Sequence, residues 1–409
     1  MARTALSAAR VLGVFLRLGL TSFGGPVAHL AIFHDEFVTR RRWLDAAAYA
    51  DLVALCQFLP GPASSQAGLA IGYLRAGYPG AAMAWLGFTA PSAAIMTLLA
   101  YGFALGGNGE AAWLHALKLV AVAVVAQAAW TMGRSLWTDR RRTAIGFVSA
   151  IVLLAFPLPA MQFAVIAAGA VAGWWLLDAE TVARIPPRSA SAPPAGRASR
   201  RTGAALLAVF ALLIIGLPLA AGVSDLPGIA VFDSFYRAGA LVFGGGHVVL
   251  PLLEAEVVAP GWVGRDEFLA GYGAAQALPG PLFTIAAFLG AHIPSFESPL
   301  TGALVALLAI FTPSFLLVPG LLPYWSGLRA RPSARAALAG VNAAVVGLLL
   351  AALYDPVFTG SVHGAADFAW VLGAFAFLFV LRWPPWLVVV LAAVAAEAAH
   401  RAPELLAGI

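Results

Sequence analysis

Charge is what this 409-residue chain has least of. Asp, Glu, Lys and Arg together make up 11% of it, against roughly a quarter in soluble domains, while apolar residues reach 61%. That balance excludes a water-soluble globular class. Cysteine is almost absent: Cys56 stands alone, so neither an internal disulfide nor a cysteine-built metal cluster can form. The sequence has no HExxH, no nucleotide fingerprint and no Ser/His/Asp grouping at helical spacing. An enzyme would need such a nucleophile, base or metal set, so no catalytic residue, cofactor or resident metal is expected. Residues 1–10 are basic, but no small-residue cleavage site follows, and the first apolar stretch reads as mature structure. Lys and Arg exceed acids by only 24 to 19 and sit mostly in short loops. They report on topology and give no sign of nucleic-acid binding.

What the chain has instead is apolar length. Stretches 81–104, 114–132, 206–222, 300–322 and 336–353 each approach the roughly 20 residues a helix needs to cross a bilayer. The expected class is an all-α polytopic membrane protein whose solvent is lipid.

Two phrases occur twice in the same order. Arg17-Leu-Gly-Leu-Thr-Ser-Phe23-Gly24-Gly25 returns as Arg237-Ala-Gly-Ala-Leu-Val-Phe243-Gly244-Gly245, and Gln57-Phe-Leu-Pro60-Gly61-Pro62 returns as Gln276-Ala-Leu-Pro279-Gly280-Pro281. A third echo sets Thr89-Ala-Pro91-Ser92 against Phe311-Thr-Pro313-Ser314. The chain therefore divides into a first repeat at 1–180, a linker at 181–203 rich in Pro, Ser, Ala and Arg, a connecting helix at 204–222, and a second repeat at 223–409. Doubled halves with helices broken by Gly and Pro point to a secondary transporter with its site at the repeat interface.

Basic residues set the sides. Arg3, Arg10, Arg134, Arg140 to Arg142 and the linker arginines belong inside, as do Arg329, Arg331 and Arg335, whereas loops 106–110, 222–230, 293–299 and 355–367 carry no Lys or Arg. All are satisfied if the connecting helix turns the second repeat upside down, with the N-terminus inside and the C-terminus outside. Segments beside each Gly pair run to about 12 residues, roughly 18 Å of helix, too short to span. Each Phe-Gly-Gly and each Leu-Pro-Gly-Pro region is thus expected to be a broken or re-entrant helical hairpin, which would keep Arg40 to Arg42 inside; full crossing would put them outside.

A helix broken in a membrane leaves amides that protein, water or ligand must satisfy. Gly24, Gly25, Gly61, Gly244, Gly245, Gly246 and Gly280 permit close backbone approach. Ser64, Ser65 and Gln66 follow Pro62, and Thr284 follows Pro281 in register with Ser65. Hydroxyls at a helix N-terminus form an anion site, although the same Gly and Pro could serve only tight packing. Arg17 and Arg237 each lie six positions before their Phe-Gly-Gly, in apolar runs where a charge marks a pathway or a partner; snorkelling to an interface is the alternative for Arg17. His29, His247, Glu36 and Glu256 are candidates for proton coupling. Gln57, Gln276 and Asn342 could hydrogen-bond a ligand or tie helices together. Asp51 and Lys118 lack matched partners and rank lower. Trp43, Trp262, Trp325 and Trp383 fit interfacial belts.

The run Phe23-Gly-Gly-Pro, His29, Trp43, Cys56-Gln-Phe-Leu-Pro60-Gly-Pro-Ala-Ser-Ser-Gln66 resembles the N-terminal domain of the chromate ion transporter family. Phe243-Gly-Gly-Gly-His247-Val-Val-Leu-Pro251 with Gln276-Ala-Leu-Pro-Gly-Pro281 resembles its C-terminal domain. The resemblance to the long, two-domain members implies halves of opposite orientation and export of chromate from the bacterial cytoplasm, driven by membrane potential or proton gradient. Chromate and sulfate share size, charge and tetrahedral shape, so uptake or exchange of sulfate is the alternative. Beyond the anion and the bilayer, a homodimer is compatible with the sequence.

Overall fold

The computed structural model describes residues 7–105, 112–177, 199–243 and 245–407; Gly244 and most of the basic linker lie outside them. The chain is helical, with no strand among the described residues. In lipid every backbone group must find its partner inside the protein, and the helix satisfies this locally.

The first half runs α1 (Ala8–Thr21), α2 (Gly25–His34, prolonged by a π-turn Asp35–Arg40), α3 (Ala46–Phe58), α4 (Ala63–Leu105, kinked at Ala76 and Gly77), α5 (Ala112–Leu136), α6 (Arg140–Ala155) and α7 (Pro159–Leu176). The connecting helix is α8 (Arg200–Val223). The second half repeats the order as α9 (Pro227–Leu241), α10 (Val249–Val257), α11 (Arg265–Ala277), α12 (Ile285–His292), α13 (Pro299–Leu321), the single turn α14 (Trp325–Arg329), α15 (Pro332–Ala352), α16 (Ala365–Phe379) and α17 (Pro385–Ala407). Helix starts carry local signals. Ser7, Asp45, Asp139 and Ser199 cap α1, α3, α6 and α8 by accepting from backbone N–H groups, and α7, α9, α13 and α15 open with proline in the first turn. Five helical stretches are long and apolar enough to cross a membrane: Ala63–Phe103, Ala112–Leu136, Arg200–Val223, Pro299–Arg329 and Pro332–Phe358. They coincide with the five apolar runs of the sequence, the first falling one residue short at Phe103.

Each Phe-Gly-Gly break is the tip of a hairpin. The Phe15 ring in α1 stacks on Phe37 at 5.1 Å and meets Phe33 edge-on at 5.7 Å, so the chain beyond the break returns alongside α1. In the second half Arg237 reaches Glu256 across the matching turn. The Leu-Pro-Gly-Pro tip between α11 and α12 folds back likewise, with Phe288 filling the space above Gly271.

The halves are interwoven. Helix α1 packs on α4 and α9 on α13, where Gly19 and Gly239 occupy the same register and a Cβ on either would strike the backbone of the neighbouring helix. The last helix pair of each half docks on the other half: α6 and α7 pack on α15, α16 and α17 on α5, and α5 and α15 touch each other. The core is therefore shared between repeats.

Two of the tryptophans expected at an interface lie inside the protein. Trp43 is buried and stacked on Phe37, under the Arg75 guanidinium. Trp325 is buried and donates through its indole N–H to Asp51. The polar handle of Trp325 is thus satisfied internally, and the Trp43 ring packs between Phe37 and the Arg75 guanidinium.

Candidate functional site

The breaks of the two halves meet and exchange backbone hydrogen bonds. The Gly61 N–H donates to the Val242 carbonyl at 2.6 Å, and the Gly280 N–H donates to the Ser22 carbonyl at 2.9 Å. Each bond joins a Leu-Pro-Gly-Pro tip of one half to the residue just before the Phe-Gly-Gly of the other. Both glycines sit at positive φ, +122° and +96°, where a side chain is strained. A Cβ at Gly61 would meet Gln66 and Ser314, and one at Gly280 would meet Ser92 and the Phe88 carbonyl. The third echo thereby finds its place, since Ser314 and Ser92 each line the Pro-Gly turn of the opposite half. Pro26 lies against Gly246, which closes the group of turns.

These bonds alter the supply of free amides. The N–H groups of Gly61 and Gly280, expected to face an anion, are spent on carbonyls across the repeat. The first turn of α4 remains. Its ladder begins with the Gln66 N–H donating to the Pro62 carbonyl at 2.9 Å, so the amides of Ala63, Ser64 and Ser65 have no intrahelical acceptor.

His29 is buried on α2 with both ring nitrogens in contact. Nε2 lies 3.1 Å from the Ser22 carbonyl and Nδ1 3.3 Å from the Ser64 hydroxyl. A carbonyl only accepts, so Nε2 carries the proton and bare Nδ1 accepts from Ser64. Ser22 and Ser65 are buried with hydroxyls that have no partner. Gln66 donates to the Pro60 carbonyl at 2.6 Å and to Ser314 across the halves at 3.3 Å.

The other candidates separate. Gln57 is exposed at the end of α3, whereas Gln276 keeps a buried Nε2 without a partner. Asn342 on α15 has a buried, unpartnered Oδ1. Thr284 donates to the Pro281 carbonyl at 2.9 Å and is satisfied. His247 meets the Tyr272 hydroxyl at 2.9 Å. Gly24 is exposed and Gly25 half-buried where α2 begins, while Gly245 and Gly246 lead into a 3₁₀ turn. The matched arginines differ. Arg237 is 25% exposed and clamped between Asp233 at 2.9 Å and Glu256 at 2.8 Å. Arg17 lies on the exposed face of α1, and buried Glu36 is held by Arg40 at 2.9 Å and Arg41 at 2.6 Å.

Sequence reasoning passed over two participants. Ser22 stands directly before the Phe-Gly-Gly motif. Asp233 stands four residues before Arg237, a helical ion-pair spacing that was there to read. Asp51 and Lys118 had no visible partners because those lie 278 and 148 residues away: Asp51 pairs with Arg329, and Lys118 with Asp266 at 3.0 Å.

Comparison with known proteins agrees with the doubled architecture. The family model described as Chromate transporter matches residues 9–174 and again 229–396. The chain is similar to a probable chromate transport protein of Synechococcus elongatus, 29% identical over 396 residues that cover 93% of each chain. It is 27% identical over 348 residues to a chromate transport protein of Cupriavidus metallidurans, covering 83% of this chain and 80% of that one. A chromate transport protein of Pseudomonas aeruginosa is 28% identical over 359 residues, 83% of this chain and 79% of its own. No solved structure matches. Its homologous halves, apolar spans and twofold match place this multi-pass membrane chain in the chromate transporter family.

Proposed function

We propose that the protein is a secondary active transporter that carries chromate, a tetrahedral dianion, outward across the bacterial inner membrane by alternating access. The observation that carries this reading is the reciprocal pair of bonds between Gly61 and Val242 and between Gly280 and Ser22. It ties the broken tips of two homologous halves into one junction, the arrangement in which one half can rock against the other around a fixed site. The halves are oriented oppositely, N-terminus in the cytoplasm and C-terminus in the periplasm; Arg134 and Arg140 to Arg142 in one half and Arg329, Arg331 and Arg335 in the other mark the cytoplasmic side.

His29 couples proton and anion. Protonated at both nitrogens, it donates from Nδ1 to the Ser64 oxygen and frees the Ser64 hydroxyl to donate to an anion. Proton and anion then bind together and move in the same direction. A dianion with one proton still carries net negative charge, so an inside-negative potential drives it out. Arg237 acts with Asp233 and Glu256 as a charged brace for the second hairpin.

The site reads charge and tetrahedral shape, so sulfate competes. The test is counterflow in proteoliposomes with labelled chromate and sulfate, imposing a potential or a pH gradient separately. Saturable chromate flux that follows the potential is expected. Flux of sulfate alone would replace the substrate, uptake against the potential would reverse the direction, and linear non-saturating flux would indicate a channel.

A further inference from the structure

We infer that the molecule holds one anion rather than two, and that the first half supplies its donors, the hydroxyls of Ser22 and Ser65 with the free amides that open α4. This rests on the transport reading above and adds which half binds.

Ser22 is fully buried and Ser65 is 5% exposed, and neither hydroxyl has a hydrogen-bond partner in the protein. A buried hydroxyl left unpaired is costly, and two at one junction mark a place where something else completes the bonds. They belong to one cluster: the His29 ring touches the Ser22 carbonyl on one side and Ser64, in the first turn of α4, on the other. The amides of residues 63–65 point out of that turn, with the positive end of the helix dipole behind them. Ser64 donates its hydrogen bond to neutral His29 and has none left for an anion in that state, which leaves Ser22 and Ser65.

The same register of the second half offers none of this. Val242 replaces Ser22, Phe283 replaces Ser64, and Ile285 replaces Gln66. Thr284 keeps the hydroxyl of Ser65 but donates it to the Pro281 carbonyl. The helix there opens through a 3₁₀ turn and runs only 8 residues. An oxyanion stripped of water requires donors, and the first turn of this helix presents methyl groups and a phenyl ring; the unpartnered Nε2 of Gln276 stands before the turn, on the preceding helix.

The experiment is equilibrium binding of labelled sulfate, with unlabelled chromate as competitor, to the purified full-length chain in nanodiscs. One anion per chain is expected. Ser22→Ala and Ser65→Ala should each weaken binding about tenfold to a hundredfold, the loss of one hydrogen bond to a charged ligand, and Thr284→Ala less than about twofold, because its bond is internal. Ser65→Thr, which keeps the hydroxyl, should restore binding, separating donation from folding. Two anions per chain, Thr284→Ala matching Ser65→Ala, or no binding by the wild type would overturn the inference. A wild-type chain that binds one anion through Ser22 and Ser65 yet shows no saturable flux would leave the site standing and remove the transport reading instead.

Discussion

The two hairpins that end in Leu-Pro-Gly-Pro share a left-handed glycine at the tip and differ in chemistry. In the first, Ser64, Ser65 and Gln66 open a helix that runs to the kink at Ala76, and a buried hydroxyl has no partner. In the second, Phe283, Thr284 and Ile285 open a short helix, and the one hydroxyl is bonded at home. The hairpins that end in Phe-Gly-Gly diverge as well. Glu256 takes its counter-charge from Arg237 on the facing helix, whereas Glu36 takes two from the turn that follows it, Arg40 and Arg41. Matching tips fix the junction, and the side chains around them differ, which is the basis for proposing one half as receptor and the other as buttress.

The contrast between shared backbone and divided chemistry can be broken, and the largest effect belongs to the shared part. Gly61→Ala and Gly280→Ala should both destabilise strongly and abolish transport. Each pays about 1–2 kcal/mol for a left-handed Cβ and also collides with groups beside the turn, Gln66 and Ser314 for Gly61, Ser92 and Phe88 for Gly280. Thermal unfolding in detergent and counterflow would show it, and tolerance at one position only would mean the halves do not share the junction equally.

Next come the arginines. Arg237→Gln leaves two buried carboxylates together and should cost about 3–5 kcal/mol, with loss of folded protein. Arg17→Gln, on an exposed face, should stay within about 0.5 kcal/mol. Adding Glu256→Gln to Arg237→Gln should recover folded yield, measured by size-exclusion of the solubilised protein. Full transport by Arg237→Gln alone would deny the brace.

A smaller effect sharpens the coupling. Wild-type anion affinity should rise as pH falls, because His29 gains a proton and Ser64 gains a free donor. Ser64→Ala should flatten that dependence while His247→Gln leaves it intact. Sulfate binding followed from neutral well into acidic buffer reads this directly, and an unchanged slope in Ser64→Ala would end the His29 assignment.

Among the ion pairs, the smallest effects should come from the two that join the halves outside the hairpin turns. Asp51→Asn loosens the contact with Arg329 and Trp325, and Asp266→Asn the contact with Lys118. Each should cost about 1 kcal/mol in unfolding. Were either to rival Arg237→Gln, the charged contacts at the periphery would outrank the brace beside the junction.

Much of this was legible beforehand for a physical reason: apolar length, Gly-Pro breaks and basic loops act locally, so they are written where they operate. The five spanning stretches, the hairpin turns and the pairing of Gly61 with Gly280 could be read in that way. The fate of each polar group could not. Thr284 and Ser65 look alike as letters in register, yet one hydroxyl is satisfied and the other is not. Arg17 and Arg237 look alike too, and only the second is clamped between two carboxylates. The amides of Gly61 and Gly280 were expected to await a ligand, and the opposite half uses them.

By itself, then, the sequence determined that this is a doubled, helical, membrane-embedded chain with its interruptions in matching places, because composition and periodicity fix how a segment meets lipid. Only the tertiary structure decided that each half lends its last helices to the other, that the Ser22 carbonyl meets Gly280 and His29, and which buried hydroxyls have no partner. Those outcomes depend on contacts between residues hundreds of positions apart, and a hydrogen bond is settled by what stands within about 3 Å of a group, which chain order does not record.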